Sequence, residues 1–410
     1  MKVSKSIIGW VMYDFANSSF TTIIVSVIYS VYFRNVVVGS DEVGTALWGR
    51  AVSISMLMVG LSAPIFGAIA DHSRSKKKFL FINTYLCVVF TCLLYFVNQG
   101  DIFKGMLFFI IANFGYNSAN VFYNSFLSEI APRSDLGKVS GWGWGVGYVG
   151  GLLSLFISLY LVNIDVRLVF PAIGLYFGLF ALFTFFWLKE FRRPSKRTNY
   201  LKVAHHRISY TWKNISRLRE LSRFIISYFI YNDGIIVVIS FAAIYGATRF
   251  NMTPQQLIVY FIIAQLTSIV GALFFGYIID KIGCKKTISI TLIIWVFVVI
   301  GAFFSRSITE YYLVGLLAGI AIGSSQSSSR TMLALLTPAG KMTEFFGFYA
   351  LTGKLASIFG PLVYGEIARI TGSQRWSLLA VLFFFVSGGA ILQTVNELKG
   401  KMVADQWQEE

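Results

Sequence analysis

Four ionisable residues stand inside stretches of the sequence that are otherwise apolar. They are Asp14 in "YDFANSSF", Asp233 in "YNDG", Arg330 at the end of "GSSQSSSR" and Lys354 in "ALTGKLAS". A fifth, Glu366, lies near the far end of its stretch and reads as interfacial. Two carboxylates and two cations can neutralise one another or hold both ends of a zwitterion. They can also pass a proton, since desolvation raises the proton affinity of an acid and an approaching cation lowers it. Amides accompany them. "ANFGYNSANVFYNS" carries Asn113, Asn117, Asn120 and Asn124 at i, i+4, i+7 and i+11, so all four share one helical face. Asn17 follows Asp14 by one helical turn, Asn232 precedes Asp233, and Gln326 lies one turn before Arg330. Such stripes read either as the lining of a polar pathway or as hydrogen bonding between packed helices.

What these groups cost depends on the solvent around them, and the composition decides the solvent. Of 410 residues, 56% are hydrophobic and 13% charged, and the mean hydropathy is +0.67. A soluble chain would be about a quarter charged. Apolar runs long enough to span about 30 Å of hydrocarbon recur along the whole sequence. Twelve membrane-spanning helices are predicted, at 7–33, 47–70, 79–97, 104–128, 139–162, 168–188, 224–248, 255–279, 287–304, 311–335, 345–369 and 376–395. At about 1.5 Å per residue, Asp14, Asp233, Arg330 and Lys354 lie roughly 10–15 Å inside these runs. An ionisable residue at that depth marks a functional site by default. An unpaired one costs several kcal/mol.

The net charge of +16 does not point to nucleic acid. Most of the Lys and Arg fall in the loops that share a side with the N-terminus, which is the positive-inside pattern and places both termini in the cytoplasm. The first apolar run is too long, and too charged at Asp14, for a cleaved signal peptide. Cys87, Cys92 and Cys284 show neither disulfide nor zinc spacing and read as packing residues. No nucleotide-binding loop, paired hydrolytic carboxylates or metal cluster is present in the sequence, so an enzyme, a cofactor and a metal site are not expected.

The longest interruption, Lys189 to Arg223, holds eleven Lys or Arg against two Glu. It reads as a basic cytoplasmic linker, either lying on the anionic leaflet or simply solvated. His205 and His206 within it have no ligand partners. The expected organisation is a six-helix bundle at 1–188, the linker at 189–223, and a second six-helix bundle with a short tail at 224–410. The halves repeat each other. "GAIADHSRSKKK" (67–78) and "GYIIDKIGCKK" (276–286) both place Gly four before Asp and two Lys at five and six beyond it. Pro132 and Gly141 recur as Pro338 and Gly347. Arg330 and Lys354 align with Asn124 and Tyr148, so a requirement common to both halves does not explain the two cations.

Two parallel six-helix halves on either side of a linker resemble the major facilitator superfamily. The resemblance implies that the repeated loops act as a latch, through Gly67, Asp71, Lys76 and Lys77 in one half and Gly276, Asp280, Lys285 and Lys286 in the other. Glu129 and Arg133 are candidate partners. A carboxylate in such a loop can meet a positive helix N-terminus or a neighbouring basic side chain. "GWVMYDFANSSF", "YNSFLSEIAP", "SGWGWGVGYVGG", "YNDG" and "SRTMLALLTPAGKMTEFFGFYALTGKLASIFGPLVYG" together resemble the vacuole effluxer family, the unknown major facilitator group. Phe15, where the family often has tryptophan, and Ala350, where an acid is frequent, depart from it.

The resemblance implies a secondary transporter working by alternating access. Because eukaryotic relatives are associated with amino acid release from vacuoles, neutral amino acids head the expected substrates. Protons are the candidate coupling ion, and uniport is the simpler competitor. Organic anions, metal chelates, peptides or drug-like solutes, lipid flipping, and a non-transporting transceptor or partner-binding protein are the alternatives. Membrane lipids and a small-molecule solute are the expected partners, and a monomer in a bacterial inner membrane the expected setting.

Overall fold

Apolar runs propagate as helix, most of them without an interior proline, and polar caps set several of their ends. The computed structural model describes residues 3–39, 41–73, 75–190, 218–252, 254–371 and 373–407. Among these the long helices are α1 (5–38), α2 (Asp41–Ser73), α3 (Lys76–Leu93), α4 (Ile102–Ser125), α5 (Leu136–Val162), α6 (Val169–Trp187), α7 (Arg219–Phe250), α8 (Pro254–Ile282), α9 (Cys284–Phe304), α10 (Ile308–Leu336), α11 (Met342–Thr371) and α12 (Gln374–Gln393). A short α13 (Glu397–Gln406) follows. They coincide with the twelve predicted segments to within a few residues at each end. Among the described residues, nine candidate spans are long and apolar enough to cross a membrane. α4 falls short because its asparagine stripe lowers its hydropathy. The basic linker and His205 and His206 lie outside the described residues, apart from its two ends.

Serine and asparagine caps account for several boundaries. Ser4, Ser307, Ser373 and Asn396 accept the backbone N–H of Ile7, Glu310, Arg375 and Lys399. Gly39 ends α1 and Asn251 ends α7 in the left-handed conformation. α1 is not a regular helix throughout, because Phe20–Val27 and Phe33–Val38 are π-helical. In a loop outside the spans, Asp165 takes the Arg167 guanidinium and then its backbone N–H, which holds the carboxyl below the ordinary carboxylate range.

The chain forms two compact units. The first comprises Met1–Ala131, Val146–Tyr210 and Gly340–Ala350; the second comprises Pro132–Gly145, Thr211–Ala339 and Leu351–Glu410. α5 therefore begins in the second unit and continues in the first, and α11 does the reverse. In the first unit α1 packs on α6, α3 on α4 and α6, and α2 on α4. In the second the same pairings recur, with α7 on α12, α9 on α10 and α12, and α8 on α10.

Aromatic rings fill the core of the first unit. Trp10 stacks on Tyr123 at 4.6 Å and Tyr13 stacks on the same ring at 4.7 Å. The Trp10 indole N–H donates to the Tyr123 carbonyl at 2.9 Å, and the Tyr13 hydroxyl meets Thr84 Oγ1 at 2.7 Å. In the second unit Trp295 stacks on Phe385 at 5.1 Å. All three cysteines are free thiols, with Cys87 and Cys284 buried.

Candidate functional site

The first unit gathers its polar residues on α1, α2 and α4. Asp14 is 8% exposed and Asn17 4%, both on the face of α1 turned into the bundle. Gly147 of α5 lets a backbone come close here: a methyl group in its place would stand 3.0 Å from Ser18 Oγ and 3.3 Å from Asp14 Cβ. Asn17 Nδ2 donates to Asn120 Oδ1 at 3.1 Å, tying α1 to α4. Asn113 donates to Ser55 Oγ of α2 at 2.7 Å, and Asn117 donates to the Asn113 carbonyl and side-chain oxygen at 2.7 and 3.0 Å. Thr21 donates to the Tyr116 hydroxyl at 2.6 Å. The stripe on α4 is thus divided. Asn113 and Asn117 are buried in bonds within the bundle, whereas Asn120 and Asn124 are half-buried.

In the second unit Asn232 and Asp233 of α7 are buried. Asp233 Oδ1 accepts the Gly360 N–H of α11 at 2.8 Å. That amide adjoins Pro361, which has no N–H of its own. Arg330 of α10 is 3% exposed. Its Nε donates to Ser140 Oγ at 2.9 Å, its Nη2 donates to the Ser140 carbonyl at 2.6 Å, and its guanidinium lies 5.3 Å from the Trp144 ring centre. Gln326 is half-buried one turn away. The side chain of Lys354 lies outside the described residues. The contacts described for Asp233 and Arg330 are therefore an amide, a hydroxyl, a carbonyl and a ring.

The repeated basic loops have a definite geometry. Asp280, at the end of α8, accepts the N–H groups of Gly137 and Lys138 at 2.9 and 3.0 Å, which caps the N-terminus of α5. A carboxylate there also meets the positive end of the helix dipole. Gly276 touches the backbone of the same helix, since a methyl there would lie 2.8 Å from the Gly137 oxygen and 2.8 Å from the Gly141 Cα. In the first unit Lys76 pairs with Glu129 at 2.7 Å. The side chains of Asp71 and Arg133 lie outside the described residues, and the helical position of Gly67 is in α2.

Beyond the two aspartates the structural register shifts by one residue from the sequence repeat. Lys77 Nζ donates to the Leu188 carbonyl after α6 at 2.7 Å, while Glu190 accepts the Lys77 N–H at 3.4 Å. Lys285 Nζ donates to the Gln393 carbonyl at the end of α12 and to the Val395 carbonyl just after it, while Glu397 accepts the amides of Cys284 and Lys285. Lys77 and Lys285 therefore do the same work, because α9 starts four residues after its aspartate and α3 five. Lys286 is exposed.

A family model described as Vacuole effluxer Atg22 like matches residues 47–405. The chain belongs to the Atg22-like vacuole effluxer family. YxiO, an uncharacterized MFS-type transporter of Bacillus subtilis (strain 168), is 27% identical over 413 residues, covering 97% of this chain and 96% of that protein. Autophagy-related protein 22 of Eremothecium gossypii is 23% identical, with coverages of 98% and 93%. The human organic anion transporter MFSD10 shares the fold, with a TM-score of 0.74 at 15% identity over 95% of this chain and 99% of that one. The protein is an MFS-type transporter, embedded in a membrane by apolar helices.

Several residues of this transporter carry contacts that charge and amide patterns do not reveal. Ser140 and Trp144, in a glycine-rich helix, hold Arg330. Gly137, Gly141 and Gly145 face α8, and Gly315, Gly319 and Gly323 face it from α10. Both sets recur at i, i+4 and i+8, a spacing visible in the sequence. The caps supplied by Glu190 and Glu397 had no signal beyond an acid after an apolar run.

The Asp280 cap makes a direct prediction. Asp280→Ala leaves two α5 amides without their acceptor and should lower stability by about 1–3 kcal/mol, read as a lower melting temperature in detergent. Asp280→Asn keeps one acceptor oxygen and should lose less. Equal melting of both variants with the parent would show that the cap carries no stability.

Proposed function

We propose that this transporter moves a small polar or zwitterionic solute, with neutral amino acids first, by alternating access and with protons as the coupling ion. The observation that carries the reading is the burial of ionisable residues beside amides in both units. Asp14 at 8% exposure lies one turn from Asn17, which is bonded to Asn120; Arg330 at 3% exposure lies one turn from Gln326. Apolar helices exclude such groups unless they are used. A zwitterion needs one partner of each sign with amides near them, and the sequence supplies both signs at comparable depth. The description of the matching family as vacuole effluxers and the relatives named for it agree with a solute carrier.

In this reading all twelve long helices cross the membrane with both termini cytoplasmic. Asp14 and Asp233 are the candidate proton carriers. Asn17, Asn117, Asn120, Asn124, Asn232, Gln326, Arg330 and Lys354 are the candidate solute contacts. The paired loops around Asp71 and Asp280 act as gating latches, supported by the Asp280 cap on α5.

The test is flux into proteoliposomes of purified transporter. Radiolabelled leucine should accumulate under an imposed pH gradient. Asp14→Asn should cut gradient-driven accumulation about tenfold or more, the effect of losing one charge-assisted interaction. Downhill exchange of the solute should persist. Accumulation that is the same with and without the gradient would replace symport or antiport by uniport. An unchanged Asp14→Asn would remove Asp14 from coupling.

A further inference from the structure

We propose that Arg330 locks the first turns of α5 within the second unit, and that the carboxylate of a bound solute opens this lock. The opening step rests on the zwitterion reading above; the lock rests on the geometry of the unit. A guanidinium buried in an apolar helix needs close compensation for its lost hydration. The described compensation comes largely from one residue of α5. Ser140 offers Arg330 its hydroxyl at 2.9 Å and its carbonyl at 2.6 Å, and the Trp144 ring lies one turn further along the same helix. The Ser140 hydroxyl hydrogen is spent on the Ser327 carbonyl of α10 at 3.0 Å. In these contacts α5 and α10 each give and receive.

The rest of the contact is built to part. On the side toward α8, α5 presents Gly141 to the Ala272 carbonyl and the Gly276 Cα, and Gly137 and Gly145 to the side chains of Ile279 and Leu273, so at these three positions α5 sends no side chain into α8. Polar ties then decide whether the segment stays down. Among the described residues these are the Asp280 cap at its first turn, the Lys138 ammonium 5.4 Å from the Tyr277 ring centre of α8, and Arg330 one turn further on.

Ser140 is also a replaceable partner. A hydroxyl and a carbonyl are neutral acceptors, whereas a carboxylate takes the Arg fork through two parallel, charge-assisted bonds. A solute carboxylate that takes Nε and Nη2 occupies the donors Ser140 now uses. Ser327 lies three residues before Arg330, on the same face of α10. Its hydroxyl is buried and has no hydrogen-bond partner among the described residues. It is placed to donate to an arriving carboxylate as well. Binding of the solute and release of α5 thus become one event, while a solute without a carboxylate leaves Ser140 in place.

Hydrogen exchange read by mass spectrometry on the full-length transporter in nanodiscs tests both parts, with leucine and leucinamide as probes. Leucine should speed exchange of the amides at 137–145 by about tenfold, the effect of losing a hydrogen bond to a charged group. Leucinamide should not. Arg330→Gln should show fast exchange at 137–145 without any solute and no further response to leucine. Arg330→Lys, which keeps the charge and loses the fork, guards against a variant that fails to fold and should fall between.

Slow exchange at 137–145 in a folded Arg330→Gln protein overturns the lock. Equal responses to leucine and leucinamide, or bound leucine without faster exchange, overturn the opening step even if flux assays uphold transport. If leucine neither binds nor moves, as judged by thermal shift and flux, the zwitterion reading fails. The opening step falls with it, while Arg330→Gln still decides the lock.

Discussion

Valine at both Gly319 and Gly323 should abolish the stable fold of the second unit, and Gly319→Val alone should lower its melting temperature sharply. A side chain at Gly319 would run into Thr267 Oγ1 and the Ala264 carbonyl of α8, and one at Gly323 into the Ser268 carbonyl. The neighbour that would have to yield is largely backbone. Thr267 cannot swing clear without breaking its own bonds to the Ile263 and Ala264 carbonyls at 2.9 and 3.2 Å. Overpacking a core typically costs about 1–3 kcal/mol, and a clash against backbone belongs at or above the top of that range. With native stabilities of about 5–15 kcal/mol, valine at both Gly319 and Gly323 should leave little folded protein. The measurement is the melting temperature and the monodisperse yield in detergent. Gly49→Ala is the control, since nothing lies within 4 Å of a methyl at that position, and alanine favours helix over glycine by about 1 kcal/mol. A Gly319→Val protein that melts like the parent would show that α8 and α10 are not held in this seam.

Lys341→Met should be a costly single change in the first unit. Lys341 and Glu344 are 0% and 1% exposed, with Nζ and Oε2 3.5 Å apart at the start of α11. Removing one member of a buried pair takes a partner from the other buried charge, at up to about 3–5 kcal/mol. Replacing both members is far milder, so Lys341→Met combined with Glu344→Gln should recover more than half of the loss. The coupling is read from a double-mutant cycle on melting temperature. Additive losses would mean that the two side chains do not depend on each other. The corresponding start of α5 carries Asp135 and Lys138 at 3.2 Å, an ion pair at the same spacing with its signs exchanged and more exposed. Lys138→Met is therefore expected to cost within about 1 kcal/mol.

Some of this protein was legible before any coordinates. The long helices follow from the length of apolar runs, since crossing hydrocarbon sets a minimum length, and polar caps set several of their ends. The internal repeat was legible because Gly, Asp and Lys at one spacing stand out against an apolar background. The ionisable residues at depth were legible for the same reason. Asp14 illustrates the limit: helical periodicity says that it shares a face with Asn17, and nothing in the periodicity names Asn120 as the partner of that face.

The sequence by itself determined the solvent, the helices, the repeat and the short list of costly side chains, because each is a property of local composition and period. Only the tertiary structure decided the pairings. Ser140 meets Arg330 across 190 residues of chain, and Asp280 finds the α5 amides across more than 140. A one-dimensional pattern fixes which face of a helix is polar, while which other helix lies against that face depends on packing of the whole bundle. The shift that makes Lys77 the counterpart of Lys285 has the same origin. Identity along the chain matched one pair of lysines, and the start of each helix in space matched another.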